Sequence, residues 1–329
     1  MACDTPPASM CANSSTLEVY AATGTCSGGT CSYTPSFVPC SAGCAGAACK
    51  SAGWTSLTSN TNQNLYSVWG SSATAVWAVG AQGVAVFYNG TSWVVKSPPS
   101  LATLWSVHGT AANNVFAAGD SGQVYKWNGT AWSVAATLPS GVTQAGVFVD
   151  GPDSLWVAGS KPSYFTSLYR VVSGTVTLVG SAFEELDNGG GAAVWANSPT
   201  DVWAAIQDGY PAHYDGTSVT NETGAGINGD AIWASSATNL LIGGRTFIQQ
   251  WNGSSFTPIA TGLTGNLGGL SGTSATRVFG AIDDGSVLYF DGSSITNQPT
   301  PAAELNAIFA AATGEVFAVG NGGSIVKGP

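Results

Sequence analysis

The stretch LYSVWGSSATAVWAVGAQGVAVFYNGTSW, residues 65–93, recurs as LWSVHGTAANNVFAAGDSGQVYKWNGTAW at residues 104–132, and these two segments decide the fold. Five more degenerate copies follow. Aligning all seven gives one column made of Trp69, His108, Phe148, Trp195, Trp233, Ser271 and Phe309. A second column, eight residues on, reads Trp77, Phe116, Trp156, Trp203, Leu241, Phe279 and Phe317. Self-similarity at a period near 40 residues is the mark of a repeat architecture.

Each copy contains four short β runs. In the first copy, strand A is LYSVW and strand B is AVWAVG; a Gly80–Gly83 turn leads to strand C, VAVFY, and an Asn-Gly turn leads to strand D. The turn dipeptides are Asn89-Gly90, Asn128-Gly129, Asp215-Gly216, Asn252-Gly253 and Asp291-Gly292. Such pairs predict two-residue type I′ hairpins. A four-stranded sheet with two apolar faces is not stable alone, and radial packing of seven of them buries both faces. The fold class expected is all-β: a seven-bladed β-propeller of four-stranded antiparallel blades, spanning 51–329. The seventh copy lacks strand D, and Trp54 stands fifteen residues before Trp69, as Trp93 stands before His108. The segment near Trp54 is therefore expected to supply the missing strand and remove an exposed edge.

The 329 residues carry 8 Lys+Arg against 18 Asp+Glu, a net charge of −10. No basic footprint exists to neutralise phosphates, so nucleic acid is not an expected partner. No apolar stretch approaches the roughly 18 residues of a spanning helix, so no transmembrane segment is expected. All seven cysteines fall in 1–50, which reads as a small disulfide-stapled module ahead of the repeat. Cys11, Cys26, Cys31, Cys40, Cys44 and Cys49 are expected in disulfides, because the spacings and the absence of His argue against zinc. Seven is odd. Cys3 is expected to be the unpaired cysteine, either lipidated as an anchor or joined to a cysteine further upstream. Both readings place the protein outside the cytoplasm, secreted or on the cell surface.

The phrases VWGSSATAVWAVG and YNGTSW resemble the repeats of bacterial secreted seven-bladed propellers, and more distantly those of photosystem II assembly-factor propellers and fucose-binding seven-bladed lectins. The Cys-rich segment, with CDTPPASMC, GTCSGGTCSY and CSAGCAGAAC, resembles modules that precede repeat domains in bacterial surface proteins and lipoproteins. The resemblance implies the fold; propellers host many activities, so it fixes no function. The sequence departs from the repeat where Ile206 and Ile282 replace a glycine and Ser271 replaces an aromatic residue.

Catalytic groups are scarce. The two histidines, His108 and His213, lie within strands, and the three arginines do not converge: Arg245 sits in a B–C turn, Arg277 at the opposite rim and Arg170 inside blade 3. No catalytic residue is assigned, and the protein is not expected to be an enzyme. A carboxylate hydrolase using Glu184, Glu185 and Asp187 of the blade 3 to blade 4 connection and Asp283-Asp284 of a B–C turn is the catalytic alternative. No cofactor is expected; calcium held by the same carboxylates and turn carbonyls is the alternative, without EF-hand spacing to support it.

Specialisation in a repeat protein sits where the copies differ. Three residues before the first column stand Tyr66 and Trp105, against Ala145, Ala192, Asp230, Gly268 and Asn306 later. One rim is expected to collect Tyr66, Trp105, Asp120, Tyr164, Glu184, Glu185, Asp187, Asp208, Tyr210 and Asp284, with His108 beneath. Aromatic faces beside hydrogen-bonding acids suit sugar rings. The expected role is glycan recognition, with a structural or assembly role binding a cell-surface protein as the alternative.

Overall fold

The computed structural model of the chain describes residues 2–14, 16–39, 44–49, 53–161, 165–184, 192–206, 209–225, 229–245, 247–261, 263 and 265–329. Seven four-stranded antiparallel sheets, here called blades 1 to 7, take up the repeat. Their A strands are Leu65–Ser72, Leu104–Ala111, Thr143–Gly151, Ala192–Ser198, Ala231–Ser236, Leu267–Ser274 and Ala307–Ala310. Each touches the next in chain order, and the last touches the first. In blade 7 the order is Ala307–Ala310, Val316–Val319, Ile325–Gly328 and then Thr55–Ser56, which pairs with Val326 and Lys327.

The two sequence columns are cross-strand partners in every blade: Trp69 faces Trp77, His108 faces Phe116, Phe148 faces Trp156, and so on to Phe309 facing Phe317. An eight-residue offset across an A–B turn puts both residues on one face of the sheet, since alternate residues share a face. The second column is buried throughout, and Trp77 touches Phe87, Trp127 and Trp132 with centroids 4.9–5.1 Å apart. Strand C adds a third member to each row: Phe87, Lys126, Arg170, His213, Gln250, Tyr289 and Lys327. Where that member is basic it lies on the ring behind it. Lys126 covers Phe116, Arg170 covers Trp156, Lys327 covers Phe317, and His213 stacks on Trp203 at 4.1 Å.

First-column rings seat on the following blade. A Cβ at Gly109 would lie 2.9 Å from the Trp69 ring, and one at Gly272 would meet Trp233 at 2.8 Å. A Cβ at Gly70 would meet Phe309 of blade 7 at 2.6 Å, so the last blade seats on the first by the same device. Serine and histidine side chains tie neighbouring A strands together: Val107 N–H donates to Ser67 Oγ, Val147 N–H to Ser106 Oγ, and Ala310 N–H to Ser271 Oγ, at 3.0–3.2 Å.

The C–D turns differ from the type I′ expectation. Tyr88 pairs with Trp93, so the loop holds four residues, and only its glycine, Gly90, has positive φ. Asn89 Oδ1 accepts from Thr91 N–H and Ser92 N–H at 3.0 and 2.9 Å. Asn128, Asp215, Asn252 and Asp291 repeat this arrangement. The side chain stands in for the turn's backbone acceptor, so the Asn or Asp need not enter the left-handed region. Among the described C–D turns, that of blade 3 alone has two successive left-handed residues, Ser173 and Gly174.

Ahead of the blades, Met10–Asn13, Thr16–Tyr20 and Pro35–Pro39 form a three-stranded sheet, beside hairpins Thr25–Ser27/Thr30–Ser32 and Cys44–Ala45/Ala48–Cys49. Cys11 is bonded to Cys44. Cys3 corrects the sequence expectation. It is buried, its carbonyl accepts from Gly24 N–H, and its sulfur lies within bonding distance of both Cys26 and Cys31. Cys26 and Cys31 face each other across their hairpin, so one incoming sulfur meets both. A sulfur forms one disulfide, so Cys3 pairs with one of these two inside the module. Cys40 and the side chain of Cys49 lie outside the described residues. No helix among the described residues is long and apolar enough to cross a membrane.

Candidate functional site

Where the A strands begin, they surround a cavity of about 850 Å³. Strand A starts and strand B ends at this rim, so its walls come from the residues ahead of the first column and from the B–C turns. Among the described residues, blades 3 and 4 contribute only Gly146 and Ala193. Blades 1 and 2 contribute Tyr66 and Trp105, stacked with centroids 4.4 Å apart and planes at 24°. Blades 5 to 7 contribute Asp230, Arg245, Asn266, Asp283 and Asn306. Among the described residues the mouth therefore combines an aromatic pair from blades 1 and 2 with polar side chains from blades 5 to 7.

Hydrogen bonds fix these side chains. Trp105 Nε1 donates to Asp120 Oδ1 at 2.6 Å, so Asp120 holds the indole rather than reaching into the cavity. Asp283 accepts from Asn266 N–H and from Asn266 Nδ2, both at 2.8 Å. Asn306 Nδ2 donates to Leu65 O and Asn321 Oδ1 at 2.9 Å, and Asn321 Nδ2 donates to Glu304. Asn64 Oδ1 accepts from Gly322 N–H at 2.8 Å, which joins blades 1 and 7 at the rim. A wall built this way holds its donors and acceptors in place before any ligand arrives.

Of the sequence candidates, Tyr66 and Trp105 line the cavity, and Asp120 supports them. His108 does not belong to the site. It lies 4.5 Å from Phe148 in a stacked pair and 5.6 Å from Trp69, and its Nδ1 accepts from Val149 N–H at 2.9 Å. Burial pushes its pKa down to about 4, so it serves there as a neutral packing and hydrogen-bonding ring. Asp284 is also corrected. It caps its own turn, accepting from Ser286 N–H and Oγ at 2.8 and 2.6 Å, and the neighbouring Asp283 is the acid that lines the cavity. Tyr210 is half-buried in blade 4 and is not a lining residue. Tyr164, Glu185, Asp187 and Asp208 lie outside the described residues, as does the side chain of Glu184.

The sequence names Asp283 only beside Asp284 in the carboxylate alternative, sets Arg245 aside as not converging with the other arginines, and does not single out Asn266. Their signal was positional: each sits in a B–C turn or just ahead of strand A, the two segments that share this rim. His213 is engaged elsewhere, with Nε2 2.8 Å from Asp201 Oδ1 and Nδ1 4.0 Å from Glu222 Oε1. Among the described residues, the sole group of three His, Cys, Asp or Glu side chains close enough to share one ion is Cys3, Cys26 and Cys31.

No known family model and no characterised protein matches the chain in sequence. Solved structures do match it in shape. The WD40 β-propeller domain of Doa1 superposes with a TM-score of 0.66 at 11% identity, covering 84% of this chain and 96% of that one. YCF48 bound to D1 peptide gives 0.63 at 14%, covering 83% and 96%, and streptogramin B lyase gives 0.68 at 10%, covering 83% and 96%. These structures share the architecture and little sequence with this chain, and that likeness establishes the fold alone: the chain is a β-propeller of four-stranded antiparallel blades.

Proposed function

We propose that this protein is a non-catalytic recognition propeller that binds a carbohydrate at the mouth where its A strands begin. The observation that carries this reading is the stacked Tyr66–Trp105 pair, which shares one open cavity with Asn266, Asp283 and Asn306. A pyranose ring presents a C–H face to an aromatic wall and hydroxyls to acids and amides, and a pre-fixed wall lowers the ordering cost of binding it. The rest of the reading supports presentation of that mouth. The seven blades form a closed ring, clasped by Thr55–Ser56, over residues 51–329. Residues 1–50 form a disulfide module suited to an exported protein at the cell surface or outside the cell. No cofactor is required.

A glycan array followed by calorimetry on the hits tests it. Trp105→Ala should weaken binding of any hit by about tenfold or more, the scale of one lost aromatic contact. An array without hits, with and without added calcium, ends the reading. A second reading is favoured by one neighbour, the YCF48 structure that holds a peptide: the same mouth then takes a protein segment in an envelope assembly. Release of a captured partner by free sugar separates the two, because a lectin releases and an assembly subunit does not.

A further inference from the structure

Between neighbouring blades, a cross-strand pair from strands C and D of the later blade packs on the second-column residue of the earlier one. Blade 2 presents Trp127 and Trp132 to Trp77 of blade 1, with centroids 5.0 and 5.1 Å away. Blade 5 presents Trp251 and Phe256 to Trp203, and blade 1 presents Tyr88 and Trp93 to Phe317 of blade 7. Tyr214 of blade 4, paired with Val219, lies 5.6 Å from Trp156. Phe290 of blade 6, paired with Ile295, shares a core cluster with Leu241, and Trp54 of blade 7 shares one with Phe279. Six blades thus bring at least one ring to this pair. In blade 3 the pair is Val171 and Val176.

A notch of about 330 Å³ lies where the blade 3 ring would sit. Blade 2 lines it with Phe116 and Ala135, blade 3 with Leu155 and Val171, and the Lys126–Asp153 ion pair takes part in the lining. It has no lining residue in common with the mouth. The polar groups of the filled interfaces show what chemistry the missing ring would meet. Indoles at the start of strand D donate N–H to strand D of the preceding blade: Trp132 Nε1 to Lys96 O at 2.7 Å, and Trp54 Nε1 to Gln298 Oε1 at 3.0 Å. Ala135 holds in blade 2 the register that Lys96 holds in blade 1, and it lines the notch. Lysine belongs to the pattern as well. Lys96 lies over Phe87 and over Trp127 of the next blade, at 5.1 and 5.0 Å, and Lys126 lies over Phe116 at 5.3 Å while lining the notch.

We propose that this notch is a binding site for an indole ring, carried by a small indole compound or by a tryptophan side chain of a partner polypeptide. The ring takes the place of the aromatic residue that blade 3 lacks. It packs on Leu155 and Val171, its N–H donates to the Ala135 carbonyl, and its face receives the Lys126 ammonium. An aliphatic group fills the volume without the N–H donor or the quadrupole, so the site discriminates by ring chemistry.

Ligand-observed NMR titration of the full chain with free indole, N-acetyltryptophanamide and N-acetylleucinamide tests this. The two indole probes should bind saturably, and the leucine probe at least about fivefold more weakly, the scale of one lost ring contact. Val176→Trp sets an indole at the register of Trp132 and should abolish binding of both indole probes. Lys126→Met keeps the apolar stem and removes the charge, and should weaken binding about two- to fivefold, the scale of one exposed cation–π contact. Thermal unfolding verifies that each variant is folded. A short peptide with a central tryptophan, set against the same peptide with leucine in that place, distinguishes the sources. Tryptophan-dependent binding as tight as that of the amide assigns the site to a polypeptide, and exclusion of the peptide while free indole binds assigns it to a small molecule. No saturable indole binding, equal binding of the leucine probe, or indole binding unchanged in both variants overturns the proposal. None of these outcomes bears on sugar binding at the mouth.

Discussion

The place where strands A and B face each other and the place where strand A begins follow opposite rules, a few residues apart on the same strand. In the first, an aromatic or aliphatic side chain of the second column recurs blade after blade and is buried, while first-column rings, half-buried, seat on the next blade. In the second, Tyr66, Trp105, Asp230, Gly268 and Asn306 have little chemistry in common, and all five line one cavity. Packing between equivalent sheets imposes one solution seven times. A cavity shared by seven strands needs each to contribute something different, so variation at fixed register is where a ligand would be read.

Truncation tests this contrast most severely. Trp77→Ala removes a fully buried indole at the contact of blades 1 and 2 and should cost ~3–5 kcal/mol, measured by denaturant unfolding. Trp105→Ala, at the mouth and partly exposed, should stay within about 1 kcal/mol while removing binding. Comparable losses of stability would break the distinction.

Acid is the next test, through His108, the one ionisable member of the first column. Its pKa is lowered from 6.5 to about 4, so between those values the unfolded chain binds more protons than the folded one. Stability then rises with pH across that window; the contribution is complete above about pH 6.5 and is lost as pH falls through 4. Thermal midpoints from pH 4 to 7 should show this slope in the wild type and a shallower one in His108→Phe. An unchanged slope would remove His108 from the packing column.

The smallest effect is expected at the C–D turns. Asn89→Ala deletes one capping acceptor and should cost about 1 kcal/mol by the same unfolding measurement. Ser173→Ala should cost less, because blade 3 turns on backbone conformation instead of a side-chain acceptor.

The columns were legible in the sequence because a β hairpin of fixed length converts an eight-residue offset into a face-to-face pair. Trp69 with Trp77 could be read without knowing the third dimension, and so could the pairing of Thr55–Ser56 with the last strand, from the spacing of Trp54. The turns were half legible. Asn-Gly marked their positions, but whether Asn89 bends its own backbone or lends its side chain depends on Thr91 and Ser92 as much as on Asn89. The mouth was legible on its aromatic side only. Tyr66 and Trp105 break the repeat visibly, whereas Asp283 and Asp284 are indistinguishable as letters, and only the path of the turn decides that one faces the cavity while the other caps Ser286. The place of Cys3 was not legible because a count of cysteines carries no geometry: the hairpin sets Cys26 opposite Cys31, and Cys3 lies beside them.

The pairing of Thr55 with Lys327 has a consequence for how the molecule is made. Trp54 is 5% exposed in the finished fold, with Nε1 donating to Gln298 at 3.0 Å, and its neighbours pair with residues near 327. A ribosome supplies these partners in the reverse of the useful order. The indole, its two-residue strand and the edge it will cover stay apart through the synthesis of six blades and meet only after the last one emerges. The slowest step of folding is then a long-range search by a short segment, and an apolar tryptophan waits in solvent until that search ends.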